Sequence, residues 1–525
     1  MGNTIMTATA GAAGAGRRGL WLMAGLVALA LLSGCAAPWR ADYPRQHSVA
    51  FAQSADTGLA RQVRALGDPG DGRSGVALVS DGPTALSLRL GLAGRAERSI
   101  DAQYYLLHDD PSGHLFVGQL MRAADRGVRV RLLLDDMDAA AYDDILTALA
   151  RHPNVQIRLF NPFPRGLARP VVTALEFLRV NRRMHNKSMT FDNVVTLVGG
   201  RNIGDEYFAA KDESNYNDLD LLAAGPVAAE VSRQFDAYWN SDKAVPVAAV
   251  SDDGLSLAAA RERLGRRMQA ALHTPYGEAL EAGREAFLFG AETRLDWVPA
   301  RVIADPVEKS SRRARSSETV TGQILPYITG AQEELFVSSA YFVPLRQGVD
   351  LLGGLADRGV EVTVLTNSMD ATDVLSVYGH YALWRNALLR RDVALWELRA
   401  DSARPDRDRL GLGASQSSLH TKAFAIDRRH LFVGSFNWDP RSVWINTEMG
   451  ILIDSPALAT EATELFRKTL VENAYRVTLN DEGDLLWEER RDARTLVLHR
   501  GEPIDSHWRA FMSRLYALLP IGGQL

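Results

Sequence analysis

Two stretches of this 525-residue chain carry the same chemically capable side chains at the same spacing. The first reads Met184-His185-Asn186-Lys187 and continues through Asp192, Gly199, Gly200 and Asn202; the second reads Leu419-His420-Thr421-Lys422 and continues through Asp427, Gly434, Ser435 and Asn437. Both obey His-x-Lys-x4-Asp-x6-Gly-(Gly/Ser)-x-Asn, and His185 and His420 lie 235 positions apart. Five fixed residues at ~5% each recur by chance on the order of 3 × 10⁻⁷ per starting position, so two copies point to a shared chemistry. On an extended strand, residues two apart project to one side, so each His-Lys pair is expected to aim an imidazole and an ammonium at one point. That point suits a phosphate. The glycine-rich bend returns Asn202 or Asn437 beside it, and a helix expected to start near Ile203 would present backbone N–H groups to an anion. Two facing half-sites supply what phosphodiester exchange needs: one imidazole to attack phosphorus and another to protonate the leaving alcohol. The lysines and amides would stabilise charge on the non-bridging oxygens. Asp192 and Asp427 complete the motif set, but on an extended strand each points away from the His-Lys face, which suits a structural part.

The elements that must position these residues are themselves repeated. Ser99-Ile100-Asp101-Ala102-Gln103-Tyr104-Tyr105-Leu106 reads as a strand, followed by a helical pattern to Asp125 and an apolar strand from Val128. The same order returns from Glu334, and Ala356-Asp357-Arg358-Gly359-Val360 repeats Ala124-Asp125-Arg126-Gly127-Val128 letter for letter. Duplication explains this, and each half is a βα-alternating unit with a largely parallel or mixed sheet. The expected boundaries are a leader over 1–34, a lead-in over 35–84, a first domain over 85–245, a connecting segment over 246–318 and a second domain over 319–525. Near the C-terminus, Trp508, Phe511, Met512, Leu515, Leu518 and Leu519 recur at helical spacing with Arg509 and Arg514 off that face. Such a helix either dips into a bilayer surface or packs onto the domain.

Composition narrows the class. Hydrophobic residues make 46% of the chain and charged residues 23%, which is globular and excludes wholesale disorder. A net charge of −5 argues against holding nucleic acid through a broad basic face, so no nucleic-acid partner is expected. A single cysteine, Cys35, excludes an internal disulfide framework and a cysteine-based zinc site. It follows Arg17, Arg18 and the apolar run Leu20 to Leu32, with no acidic residue before Asp42, which reads as an export signal. The run is shorter than the ~20 residues of a spanning helix, leaving an uncleaved anchor as the alternative. Leu32-Ser33-Gly34-Cys35 resembles a bacterial lipoprotein cleavage box, which implies lipidation at Cys35 and a periplasm-facing protein of the cell envelope. Ala36 and Ala37 after the cysteine favour the outer over the inner membrane.

The two motifs resemble those of the phospholipase D superfamily. Asn181-Arg182-Arg183-Met184-His185, Gly199-Gly200-Arg201-Asn202-Ile203-Gly204-Asp205, Asp439-Pro440-Arg441-Ser442, Asn446-Thr447-Glu448, Asp101-Ala102-Gln103-Tyr104-Tyr105 and Phe160-Asn161-Pro162-Phe163 resemble its cardiolipin synthase C-like branch, from about Ala85 to the C-terminus. The resemblance implies two duplicated α/β/α sandwich domains packed as a pseudo-dimer, with the active site at their interface. It implies a covalent phosphatidyl-histidine intermediate with no metal and no cofactor, His185 as nucleophile and His420 as general acid, the pseudo-symmetry leaving the reverse open. A carboxylate orients each histidine: Glu448 is expected for His420, and Asp220 for His185. Tyr104, Tyr341, Phe342 and His380 are the expected headgroup or acyl contacts, with core or rim packing as the alternative. The implied reaction moves a phosphatidyl group from phosphatidylethanolamine to phosphatidylglycerol. An exported hydrolase using water as acceptor and a non-enzymatic envelope lipoprotein are the competing readings, and an accessory protein stays open.

Overall fold

The computed structural model describes residues 39–40, 42–53, 55–166, 168–251, 254–282, 293–402, 407, 415–491 and 495–525; the leader and Cys35 lie outside them. In the first half the strands are β1 (Ser74–Val79), β2 (Ser99–Tyr104), β3 (Arg129–Asp135), β4 (Val155–Phe160), β5 (Ser188–Phe191), β6 (Val195–Gly199), β7 (Ser214–Asn217), β8 (Asp220–Ala224), β9 (Ala244–Pro246) and β10 (Asp296–Val298). In the second they are β11 (Ala300–Ala304), β12 (Glu334–Ser339), β13 (Glu361–Asn367), β14 (Ala394–Leu398), β15 (Gln416–Leu419), β16 (Lys422–Ile426), β17 (His430–Gly434), β18 (Met449–Asp454), β19 (Ala474–Leu479), β20 (Leu485–Arg490) and β21 (Leu496–His499). One sheet runs β10-β1-β8-β6-β5-β2-β3-β4-β9 and the other β11-β18-β17-β16-β12-β13-β14-β19-β20-β21. The order β8-β6-β5-β2-β3-β4 matches β18-β17-β16-β12-β13-β14, with β2-β3-β4 and β12-β13-β14 parallel in both. Each half is therefore a mixed α/β unit, and the duplication extends to strand order.

The repeated pentapeptide ends a helix. Pro111–Asp125 starts at Asp110, whose carboxylate accepts the Gly113 N–H, with proline at the first helical position. At its end Gly127 takes φ +97°, and Gly359 takes φ +87° after Leu345–Ala356. The Val128 and Gly127 N–H groups return to Ala123 and Ala124, and those of Val360 and Gly359 to Leu355 and Ala356, closing a Schellman turn in both halves. Glycine is required by the left-handed backbone, and the valine is buried as the next strand begins.

The connecting segment 246–318 is divided between the halves rather than standing apart. The helix Leu257–Leu272 packs on Pro111–Asp125, β10 extends the first sheet and β11 the second, so the chain crosses over near Pro299. The first sheet also takes β1, which precedes the expected start at 85. One core cluster belongs to both halves: Val198, Leu221 and Val231 pack with Phe336, Leu431, Ile451 and Phe466. This dry seam holds the halves together with the motif strands β5, β6, β16 and β17 beside it.

Candidate active site

The motif aspartates build the hairpins that carry the site. Asp192 and Asn193 take φ +51° and +56°, and Asp427 and Arg428 take +51° and +46°. Val194 N–H returns to Phe191 and Arg429 N–H to Ile426, so both hairpins close on type I′ turns. The Asp192 carboxylate accepts the N–H groups of Glu97, Arg98 and Ser99, and Asp427 those of Gln332, Glu333 and Glu334. These aspartates thus clamp the hairpins to the starts of β2 and β12, away from the reacting groups, and take no part in the cavity.

His185 and Lys187 precede β5, whereas His420 precedes β16 and Lys422 is its first residue, so both histidines sit in extended lead-ins and not within the strands as expected. These lead-ins run beside the other half. β15 pairs in parallel with β7, bringing Leu419 against Asn217, and Met184 bridges to Thr447. The His420 N–H donates to Asn217 at 2.8 Å and the His185 N–H to Thr447 at 2.9 Å. The residue after each of these partners is a carboxylate. Asp218 Oδ2 lies 2.6 Å from His420 Nδ1, and Glu448 Oε2 lies 2.9 Å from His185 Nδ1. The pairing expected from sequence is thereby corrected twice: Glu448 holds His185, and the partner of His420 is Asp218. Asp220 instead forms a buried ion pair with Arg89 at 2.9 Å and meets Arg201 at 3.4 Å. Sheet register gives the reason. Gly199 pairs with Asp220 where Gly434 pairs with Gly450, so the residue equivalent to Glu448 stands two before Asp220.

The Gly-(Gly/Ser) step makes room for those carboxylates. A Cβ at Gly200 would meet Asp218 Oδ1 at 2.1 Å, so that position must be bare. In the second half Ser435 stands there and donates its hydroxyl to Glu448, which also accepts from Ser442 at 3.0 Å. Each lysine ammonium donates to the carbonyl of its own motif histidine, Lys187 to His185 at 2.6 Å and Lys422 to His420. The helix expected at Ile203 is absent; the chain makes one 3₁₀ turn, Asp205–Tyr207, and Asn202 spans from the Leu106 N–H to the Tyr207 hydroxyl. Asn437 Oδ1 receives the Tyr341 N–H.

Both histidines line one cavity of about 330 Å³ at the junction of the halves, with Asn202 and Asn437. Nδ1 is engaged in each ring, leaving Nε2 for chemistry. Of the four expected contacts only Tyr341 lines this cavity. Tyr104 is fully buried and hydrogen-bonded to Arg89, Phe342 packs in the second core, and His380 is held by Ser376 and Leu519 carbonyls. Strand alternation explains the first: Tyr104 faces inward, and its neighbour Tyr105 meets His185 edge-on at 5.0 Å. Tyr207 and Tyr216 stand 5.2 and 4.9 Å from the His420 ring. Arg441 also lines the cavity, steadied by Asn181. Tyr105, Tyr207, Tyr216, Arg441 and Asp218 were not singled out from sequence, and of these only Asp218 had a signal, its match to Glu448 one residue ahead of an apolar strand.

Burial governs the electrostatics. It pushes His185 well below the ordinary imidazole range, helped by Lys187 and Lys422, and lowers His420 as well, with Asp218 opposing. Burial would raise Asp218, but His420 and Lys422 outweigh it and hold it ionised. Burial raises Glu448 to about 7, and lowers Lys187 to about 7 and Lys422 to about 8. At the cavity edge His108, Asp110 and Glu206 bring ligand-type atoms within 4.8 Å of one another, but His108 is already paired with Glu206 at 3.0 Å and Asp110 caps a helix.

A duplicated α/β chain whose two His-Lys motifs share one cavity is the architecture of a phospholipase D-like protein. The family model described as cardiolipin synthase, PLD-like domain matches residues 91–239 and again 324–470. Cardiolipin synthase C of Escherichia coli is 38% identical over 88% of this chain and 98% of its own length. Cardiolipin synthase B of Salmonella typhi is 25% identical over 74% of this chain and 76% of its own. The chain belongs to the phospholipase D-like cardiolipin synthase family. The crystal structure of phosphatidylserine synthase from Haemophilus influenzae superposes with a TM-score of 0.53, covering 80% of this chain and 91% of that one at 12% identity, which shows a common fold.

Proposed function

We propose that the protein is a cardiolipin synthase-type phosphatidyltransferase that moves a phosphatidyl group from phosphatidylethanolamine to phosphatidylglycerol. The observation that carries this is the crossed pair of carboxylate-held imidazoles in one cavity, Glu448–His185 and Asp218–His420. Family membership supports phospholipids as the substrates. His185 is the better nucleophile because its ring is kept neutral, and His420 the better proton carrier because a firmly ionised Asp218 stabilises its imidazolium. In the first step His185 Nε2 bonds to the donor phosphorus, and the phosphorus–oxygen bond to the headgroup breaks. The leaving alcohol takes the proton from His420. In the second step His420 removes a proton from a glycerol hydroxyl of phosphatidylglycerol; that oxygen bonds to phosphorus and the bond to His185 breaks. The Asn202 and Asn437 amides and Arg441 line the cavity in which the non-bridging oxygens sit through both steps, and the buried Lys187 and Lys422 ammonium groups, held on the histidine carbonyls, add positive potential.

The leader adds a compartment to this proposal: a lipid anchor at Cys35 on a periplasm-facing protein, at the outer membrane. No helix among the described residues is long and apolar enough to cross a membrane. The test supplies purified protein with phosphatidylglycerol alone and then with headgroup-labelled phosphatidylethanolamine, following products by mass. Cardiolipin with stoichiometric ethanolamine is expected. Cardiolipin with glycerol from phosphatidylglycerol alone would replace the donor, and phosphatidic acid without cardiolipin would make the protein a hydrolase.

A further inference from the structure

The C-terminal helix His507–Ala517 packs with its small side chains inward and its large apolar ones outward. Ala510 and Ser513 are buried, and the Ser513 carbonyl sits 2.3 Å from where a Cβ on Gly379 would stand, so helix Leu375–Ala382 admits it only through a glycine. Trp508, Phe511 and Leu518 are 68%, 57% and 81% exposed, with Trp508 stacked on Phe511 at 5.7 Å. In the first half, helix Arg169–Val180 likewise leaves Phe177, Leu178 and Val171 exposed, Leu178 to 69%. Single exposed apolar residues are ordinary, but clusters on two helices that are tied to the same C-terminal tail are not.

They border the same opening. Val377, from the helix under His507–Ala517, lines the catalytic cavity, and the chain after that helix returns to place Gln524 and Leu525 in the cavity wall. Asn181, which caps helix Arg169–Val180 one turn beyond Phe177, donates to Gln524 at 3.0 Å. From His507 to Leu525 there is no acidic residue, while Arg509 and Arg514 are present, in a chain of net charge −5. Arg514 is exposed. Aromatic and aliphatic side chains backed by arginine suit the boundary between acyl chains and anionic headgroups.

We propose that these two faces are the surface on which the protein lies against a phospholipid bilayer, with the cavity mouth turned to the lipid. This rests on the lipid-substrate reading above and adds the route by which an insoluble substrate enters without crossing water.

The probe is a vesicle of phosphatidylglycerol and phosphatidylethanolamine with brominated acyl chains, mixed with the full chain. Bromine is expected to quench tryptophan emission, with part of the quenching lost in Trp508→Phe; equal quenching in both proteins overturns the proposal. Separately, a Phe511→Ser, Leu518→Ser double variant is assayed on vesicles and on short-chain forms of the same lipids dissolved as monomers. Turnover on vesicles is expected to fall by roughly tenfold or more with the dissolved substrate unaffected. An equal fall on both would mark a structural role and refute docking. A dimer seen by light scattering and dissociated by the double variant would assign the face to a second copy and also refute it. If the unaltered protein turns over neither lipid form, the transferase reading fails while the quenching comparison still decides docking.

Discussion

Replacing Glu448 by glutamine separates the catalytic from the structural carboxylates. Glu448 is fully buried and accepts from His185, Ser435 and Ser442. Burial raises its pKa from 4.5 to about 7, so the fold disfavours the ionised form. The folded-state pKa lies above the unfolded one, and stability present below pH about 4.5 is therefore lost as pH rises through about 7, amounting to about 3 kcal/mol at pH 8. Glutamine keeps the shape and removes that cost, so the melting temperature at pH 8 should hold or rise. Catalysis responds the other way. With phosphorus on Nε2 the His185 ring carries positive charge, and a hydrogen bond to a charged group is worth ~1.5–3 kcal/mol, or ~10- to 100-fold in rate. If the glutamine amide donates to Nδ1, the ring proton moves to Nε2 and the nucleophile is lost, as in carboxylate-to-amide changes that cost about 10⁴. Cardiolipin formation from dissolved short-chain lipids should thus fall by about 10 to 10⁴. Asp220→Asn is the comparison: it breaks a buried arginine pair, costs about 3–5 kcal/mol and lowers the melting temperature clearly. Wild-type rates in Glu448→Gln, or a melting loss as large as that of Asp220→Asn, would refute the assignment.

Asp218→Asn should slow turnover and lower the His420 pKa further, because the carboxylate 2.6 Å from its ring is lost; the alkaline limb of the pH–rate profile, set by the protonated acid, then moves to lower pH. A covalent lipid adduct trapped by rapid acid quench should map to His185 by peptide mass spectrometry, and an adduct on His420 would reverse the two roles. Gly200→Ser, which imports the residue the second half uses, should fail in activity, since its Cβ would occupy the space of the Asp218 carboxylate; near-normal rates would show that Asp218 can move without consequence.

The features legible in the residues alone are those that repeat locally. The His-Lys motifs, the Ala-Asp-Arg-Gly-Val helix ends and the type I′ hairpin aspartates depend on backbone conformation within a few residues, so identical letters produced identical turns in both halves. The doubled motif also identified His185, Lys187, His420 and Lys422 without any contact being known, because chance does not space five residues alike twice. Which carboxylate serves which histidine depends on contacts across the junction of the halves. Glu448 and Asp218 reach across the junction because the lead-in of each motif pairs with a segment of the opposite half, and pairing between distant segments leaves no trace in local spacing. Tyr104 and Tyr105 show the same limit at a single step: adjacent tyrosines at the end of β2 differ only in the side they face, and the sheet's packing sends one to the core and the other to His185. The outward apolar face of the C-terminal helix is the converse case, where periodicity gave the stripe and only the close approach at Gly379 determined that it points away from the protein.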